Sequence, residues 1–185
     1  PNLAQQVNPA FGNWVGIGLP DLWTGVCTKV TTNLPGPGQF NAAQLVGSSL
    51  HTITSAPIWA RPTSGDSKVS LRVRLRTGSG SQWDSSLASH RTVIEILIAG
   101  TTTVLGSATI ISAGYPSPPS NYQVVAPNTL VDVDVLAVDL FHTPGAAAKY
   151  APWDGIQIRL TTVNGGGTVV VGGIFVTQDS TLPSD

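Results

Sequence analysis

The fold is decided by KVSLRVRLRTG (Lys68 to Gly78), followed after a polar loop by HRTVIEILIAG (His90 to Gly100). In the first run Val69, Leu71, Val73 and Leu75 alternate with Ser70, Arg72, Arg74 and Arg76. Successive side chains of a strand point to opposite faces, so this run has one apolar face and one polar, basic face. In the second run Ile94, Ile96 and Ile98 share one face, while Val93, Glu95 and Leu97 share the other. The two runs read as neighbouring strands, a hairpin-like pair within one half-buried sheet.

Outward from this pair the same period of two recurs. Val26, Thr28 and Val30 share a face of a first strand within residues 22–33, which ends at the turn Pro35-Gly36-Pro37-Gly38. Residues 45–62 read as one or two short strands broken near Pro57, and residues 102–112 as another. After the Pro-rich segment 113–121, strands are expected from Tyr122 to Val125 and from Thr129 to Leu140, where Val131, Val133 and Val135 oppose Asp132 and Asp134. A loop follows, with one helical turn at residues 146–148. Ile156, Ile158 and Leu160 then alternate with Gln157, Arg159 and Thr161, and Gly165 to Gly167 turn the chain into Thr168 to Val176, a hairpin signal. The pattern predicts an all-β chain: an antiparallel jelly-roll-like β-sandwich of about 8–10 strands, ahead of an immunoglobulin-like topology. No repeat of fixed period is present, which argues against a propeller or solenoid.

Three segments follow from this reading: an extended N-terminal arm (residues 1–20), a single sandwich domain (21–178) and a mobile tail (179–185). The arm has no period and is broken by Pro9, Gly12, Gly16, Gly18 and Pro20. It is nevertheless too apolar for a solvated tail, with Leu3, Val7, Phe11, Trp14 and Ile17 spread along it. These five residues are the expected assembly interface. The arm lies either on its own sandwich or on a neighbouring subunit.

Composition narrows the function. Of 185 residues 41% are hydrophobic and only 10% charged, against roughly 25% charged in an average domain. Net charge is −1, so no global field attracts nucleic acid or an anionic membrane. Few charges leave a surface suited to being covered. Cys27 is the single cysteine, which excludes an internal disulfide and reads as a small buried hydrophobe. Neither a signal peptide nor an apolar run long enough to span a bilayer is visible. Pro1 at the head of a Met-free sequence fits removal of an initiator Met from a protein made inside the cell.

Candidate chemistry is sparse. Arg72, Arg74 and Arg76 could clamp an anion, but Glu95, Asp132 and Asp134 occupy polar sheet faces and offer cross-strand partners. Asp132 and Asp134 alone supply too few oxygens for calcium. His51, His90 and His142 lack ligand spacing, and no nucleophile elbow, zinc-protease motif or phosphate loop occurs. The expectation is therefore no catalytic, cofactor or metal site. Trp83, Tyr115 and Trp153 fall in loops, where they either stack on sugar rings or anchor the loops to the sandwich rim.

The closing run WDGIQIRLTTVNGGGTVVVGGIFVTQ (Trp153 to Gln178), the apolar arm and the low charge together resemble the small β-sandwich structural proteins of bacteriophage virions, of the head-decoration and fibre kind. That resemblance implies a non-enzymatic virion subunit, made in the host cytoplasm. It would form a symmetric homo-oligomer, a trimer by preference, and contact a major capsid or other virion protein, with no nucleic-acid or membrane partner. Carbohydrate-binding modules end in a similar strand pair, so the alternative is a glycan- or receptor-binding sandwich that uses its loop aromatics.

Overall fold

The computed structural model describes residues 2–16, 18–60, 68–83, 90–114, 116–137, 155–163 and 167–178. The helical turn expected at 146–148 and the tail 179–185 lie outside these residues. The strands in chain order are β1 (Trp14–Val15), β2 (Leu19–Pro20), β3 (Trp23–Gly25), β4 (Thr28–Val30), β5 (Ala42–Val46), β6 (Thr52–Ser55), β7 (Val69–Thr77), β8 (Arg91–Ile98), β9 (Val104–Ile111), β10 (Tyr122–Val124), β11 (Leu130–Ala137), β12 (Ile156–Val163) and β13 (Thr168–Gln178). Short 3-10 turns occupy Leu3–Val7, Gly47–Ser49 and Gly80–Gln82. The chain is an all-β sandwich. A six-stranded sheet runs β10-β9-β8-β12-β6-β3, a five-stranded sheet runs β11-β7-β13-β5-β4, and β1 and β2 form a small pair. Every pairing is antiparallel except β9–β10, which is parallel.

The alternation in β7 works as expected: Val69, Leu71, Val73 and Leu75 are all fully buried. Each such side chain contributes about 1.5–3 kcal/mol through burial. Ile94 and Ile96 of β8, Ile156, Ile158 and Leu160 of β12, and Val169, Val171, Ile174 and Val176 of β13 complete the core between the sheets. The buried hydroxyls of Thr92 and Thr162 meet at 3.0 Å within the six-stranded sheet.

The pairing of the deciding stretch differs from expectation. β7 pairs with β11 and β13, whereas β8 pairs with β9 and β12 in the other sheet. The two strands belong to opposite sheets instead of lying side by side. The same holds for β12 and β13, which the Gly165–Gly167 signal presented as a hairpin. The physical reason is that alternation specifies only that a face must be buried. Packing apolar face on apolar face from two sheets meets that need as well as a hairpin does.

The arm is also corrected. It is not extended: Leu3–Val7 is a 3-10 turn, capped by the Asn2 side chain accepting from Ala4 N at 3.0 Å. It lies on the chain's own sandwich. Asn2 donates to Ile174 O at 3.0 Å and accepts from Val176 N at 2.8 Å, while Ile174 N donates to Pro9 O at 2.9 Å. Ala4, Val7 and Phe11 are fully buried in the common core. Among the described residues, no helix is long and apolar enough to cross a membrane.

Candidate functional site

The loop that joins β4 to β5 builds a groove against the arm. Its turn, Gly36-Pro37-Gly38, closes with Gln39 N donating to Gly36 O at 3.4 Å, and Gly38 takes the left-handed conformation with φ 69°. The Gln39 amide then reaches the last strand, its Nε2 donating to Gly172 O at 3.0 Å and to Asn41 O at 2.8 Å. The register of β13 against β7 shifts between Val171 and Gly173, a bulge that turns the Gly172 backbone towards this amide. A Cβ on Gly172 would stand 2.5 Å from Gln39 Oε1 and 2.7 Å from Pro35 Cγ, so the docking of the loop depends on glycine there. On the far side Asn41 Nδ2 donates to Gly12 O of the arm at 3.4 Å.

Between loop and arm lies an open groove of about 510 Å³, lined by Ala10, Gly12, Pro37, Gln39, Phe40 and Asn41. An adjoining groove of about 260 Å³ continues past Gly172 to Arg74 and Phe175. Phe40 is 81% exposed, so its ring forgoes about 1.5–3 kcal/mol of burial. Singly exposed apolar residues are ordinary on protein surfaces. Phe40 differs because it rims a groove beside Pro37 and is flanked by two amides. A flat apolar face next to amide donors and acceptors can hold a ligand with one apolar and one hydroxylated side.

The sequence-derived candidates fall elsewhere. Trp83 is fully buried and its indole donates to Val125 O at 2.9 Å, so it anchors its loop and has no face to offer a sugar. Tyr115 and Trp153 lie outside the described residues, as does Ile17. Of the expected assembly interface, Val7 and Phe11 are core residues, Phe11 with its ring 5.3 Å from that of Trp23. Leu3 is half-buried against the same core. Trp14 is half-buried too, donating to Phe11 O at 2.7 Å with Lys29 Nζ 5.6 Å above its ring. Val7 and Phe11 thus have no surface to offer a neighbouring subunit, whereas Leu3 and Trp14 keep part of theirs. Sequence reasoning missed Phe40 and Trp59, the latter 57% exposed. The signal for Phe40 was its place immediately after a Pro/Gly turn, where no strand requires an aromatic.

The charged candidates resolve into pairs. Arg72 meets Asp134 through Nε–Oδ1 at 2.8 Å and Nη2–Oδ2 at 2.9 Å, and Arg74 meets Asp132 at 2.9 and 2.8 Å. Arg159 donates to Glu95 at 2.7 Å, so Glu95 serves β12 and not β7. Each carboxylate, through its hydrogen bonds, raises the pKa of its arginine further. Both aspartates of β11 are thus committed to guanidinium groups. His51 is buried and accepts from Val46 N at 3.2 Å, and His90 is buried with its ring 6.1 Å from that of Trp83. His142 lies outside the described residues. Burial pushes the Cys27 thiol up to about 11, which keeps it protonated and unreactive at neutral pH. Among the described residues no three His, Cys, Asp or Glu side chains are grouped to hold a metal.

No protein-family model matches the sequence, and no curated protein matches it. Solved structures do share the fold. An exo-β-agarase matches at a TM-score of 0.53 and 11% identity over 91% of this chain and 25% of that one. The C-terminal family 22 carbohydrate binding module of Clostridium thermocellum Xyn10B matches at 0.50 and 11% identity, over 95% of this chain and 94% of the module. The enzymatically active domain of tailspike protein 4 of Bacteriophage CBA120 matches at 0.49 and 10% identity, a likeness too distant to carry weight. The chain covers only 19% of that tailspike chain. At these identities the likeness establishes the β-sandwich fold alone.

Proposed function

We propose that this chain is a non-catalytic β-sandwich that binds a glycan in the groove between the arm and the loop Pro35–Asn41. The observation that carries the reading is Phe40, 81% exposed on the rim of a groove whose other polar wall is the amides of Gln39 and Asn41. A phenyl face stacks on the C–H face of a sugar ring, and the amide oxygens of Gln39 and Asn41, whose nitrogens hold the loop, can accept from the ring's hydroxyls. The fold likeness to a carbohydrate binding module, end to end over both chains, supports the same reading. The test is a glycan array probed with the wild type and with Phe40→Ala. Binding should be present in the first and lost in the second, with thermal stability unchanged. A wild type that binds no glycan, or a variant that binds as well, overturns it.

A second reading, a virion structural subunit in a homo-oligomer and on a capsid or other virion protein, is supported by a different surface. Val104, Val124, Leu130 and Leu136 are 43–53% exposed on β9, β10 and β11, towards one edge of each sheet. The sheets approach closely there, since a Cβ on Gly106 would fall 2.5 Å from Leu136 O. If this edge joins copies, the native mass should be a multiple of the chain, with a trimer expected. Leu136→Asp should then return it to the monomer. A monomeric wild type removes this reading and leaves the first untouched.

A further inference from the structure

The polar face of β7 treats its three arginines unequally. Register places Asp134 opposite Arg72 and Asp132 opposite Arg74, but Leu130 opposite Arg76. On the other flank Arg76 faces Val170 of β13. Arg76 therefore has an apolar neighbour on each side, and its Nε is buried without a hydrogen-bond partner. A guanidinium donor shielded from water and unpaired carries a desolvation cost that nothing among the described residues offsets.

Arg76 lines a small cleft of about 60 Å³ on the outer face of the five-stranded sheet. Around it stand Asn33, from the loop after β4, Gln44 of β5, Gln82 of the 3-10 turn, and Asn128 just ahead of β11. Hydrogen bonds hold the end of the cleft together. Gly78 N donates to Thr168 O at 2.8 Å, and Asn128 N donates to Gly78 O at 2.8 Å. A side chain on Gly78 would stand 2.7 Å from the Gln82 Cβ, so glycine lets the turn close over the sheet. Asn33, Gln82 and Asn128 are exposed and Gln44 is half-buried, so all four side chains keep contact with solvent around the cleft. Arg76 is thus bordered by four amide side chains and, among the described residues lining the cleft, by no carboxylate.

We propose that this cleft is a subsite for a single carboxylate on an acidic sugar, a uronic acid being the simplest case. A planar carboxylate matches the guanidinium fork of Arg76, which lines the cleft and faces no carboxylate there. The volume admits the carboxylate group and leaves the ring outside, where the amides of Asn33, Gln44, Gln82 and Asn128 can meet its hydroxyls. The subsite is separate from the Phe40 groove. It lies two residues further along the same face of β7, where Arg76 replaces Arg74 as the lining arginine.

The test is a titration of the full chain with sodium glucuronate, with glucose as the neutral probe and sodium chloride holding ionic strength constant. It is followed on the Arg76 Nε–Hε resonance of the wild type. Glucuronate should shift that resonance saturably and glucose should not. Arg76→Gln should bind glucuronate at least ten-fold more weakly, and Phe40→Ala should bind it as the wild type does. Should Arg76→Gln fail to fold, the wild-type resonance alone decides. No saturable shift, an equal shift with glucose, undiminished binding by a folded Arg76→Gln, or loss of binding in Phe40→Ala would each overturn the proposal. Because Phe40→Ala is the variant that tests the groove, failure of either site is distinguishable from failure of the other.

Discussion

Two sets of aromatic side chains divide this molecule. Phe11, Trp23 and Trp83 are buried, and each indole donates to a carbonyl, Trp23 to Val7 O at 2.7 Å and Trp83 to Val125 O at 2.9 Å. Phe40 and Trp59 are 81% and 57% exposed, and Trp59 is tied down only through its backbone, N to Gln6 Oε1 at 3.0 Å. All five lie outside the long strands. Position outside the long strands therefore says little about whether an aromatic serves the fold or a ligand. What separates them is whether the ring's polar edge and apolar faces already have partners.

The comparison can be broken in several ways, and the arm offers the largest effect. Deleting residues 1–11 removes Ala4, Val7 and Phe11 from the core and leaves the indole of Trp23 without its acceptor. The expected result is loss of near-UV circular dichroism and of cooperative unfolding. A truncated chain that still melts cooperatively would contradict the placing of the arm in the core. Next, Trp83→Ala should cost about 3–5 kcal/mol in urea unfolding, as for other buried Trp truncations. Trp23→Phe keeps most of the ring but leaves Val7 O unsatisfied, which should cost about 1–3 kcal/mol. Phe40→Ala and Trp59→Ala should lie within about 0.5 kcal/mol of the wild type, as exposed substitutions usually do. A large destabilisation by Phe40→Ala would move that ring to the buried set and take the groove's ligand-binding rationale with it.

The smallest effect concerns Cys27, buried beside the arm with its thiol 3.7 Å from Gly18 O. Its pKa is raised from 9.0 to about 11 by burial, so the unfolded chain releases this proton at lower pH than the folded one. The stability held below pH 9 should therefore decline as pH rises from 9 towards 11. Urea midpoints at pH 8 and 10.5 for wild type and Cys27→Ala would check this. The wild type should lose more across the interval, and equal losses would show the thiol to be better solvated than its burial implies.

The sandwich was legible because its strands alternate strictly, Val69 to Arg76 above all, and burial leaves little choice about which face turns inward. Which strand lay beside which was not legible. β7 and β8 carry the same pattern whether they pair or lie in opposite sheets, and only the sum of all the faces decides. The ion pairs were half legible: Asp132 and Asp134 have the spacing of Arg72 and Arg74, but register alone assigns Leu130 to Arg76. The candidate groove was not legible. It is made by a glycine on β13, an amide 133 residues earlier and a turn of the arm, and no local pattern joins those three.

The clasp between Asn2 and β13 also sets an order in time. Asn2 and Ile174 are 172 positions apart. At roughly 5–20 residues per second of synthesis, the arm waits about 9–34 s for the strand that receives it. Until then Val7 and Phe11 have no complete site to enter. The segment made early is thus among the later ones to settle, and the seam it closes depends on contacts of long sequence separation, which form slowly. During that interval the nascent chain displays an apolar segment that the finished protein conceals, and this is the stage at which a holding chaperone or a neighbouring nascent copy would meet it.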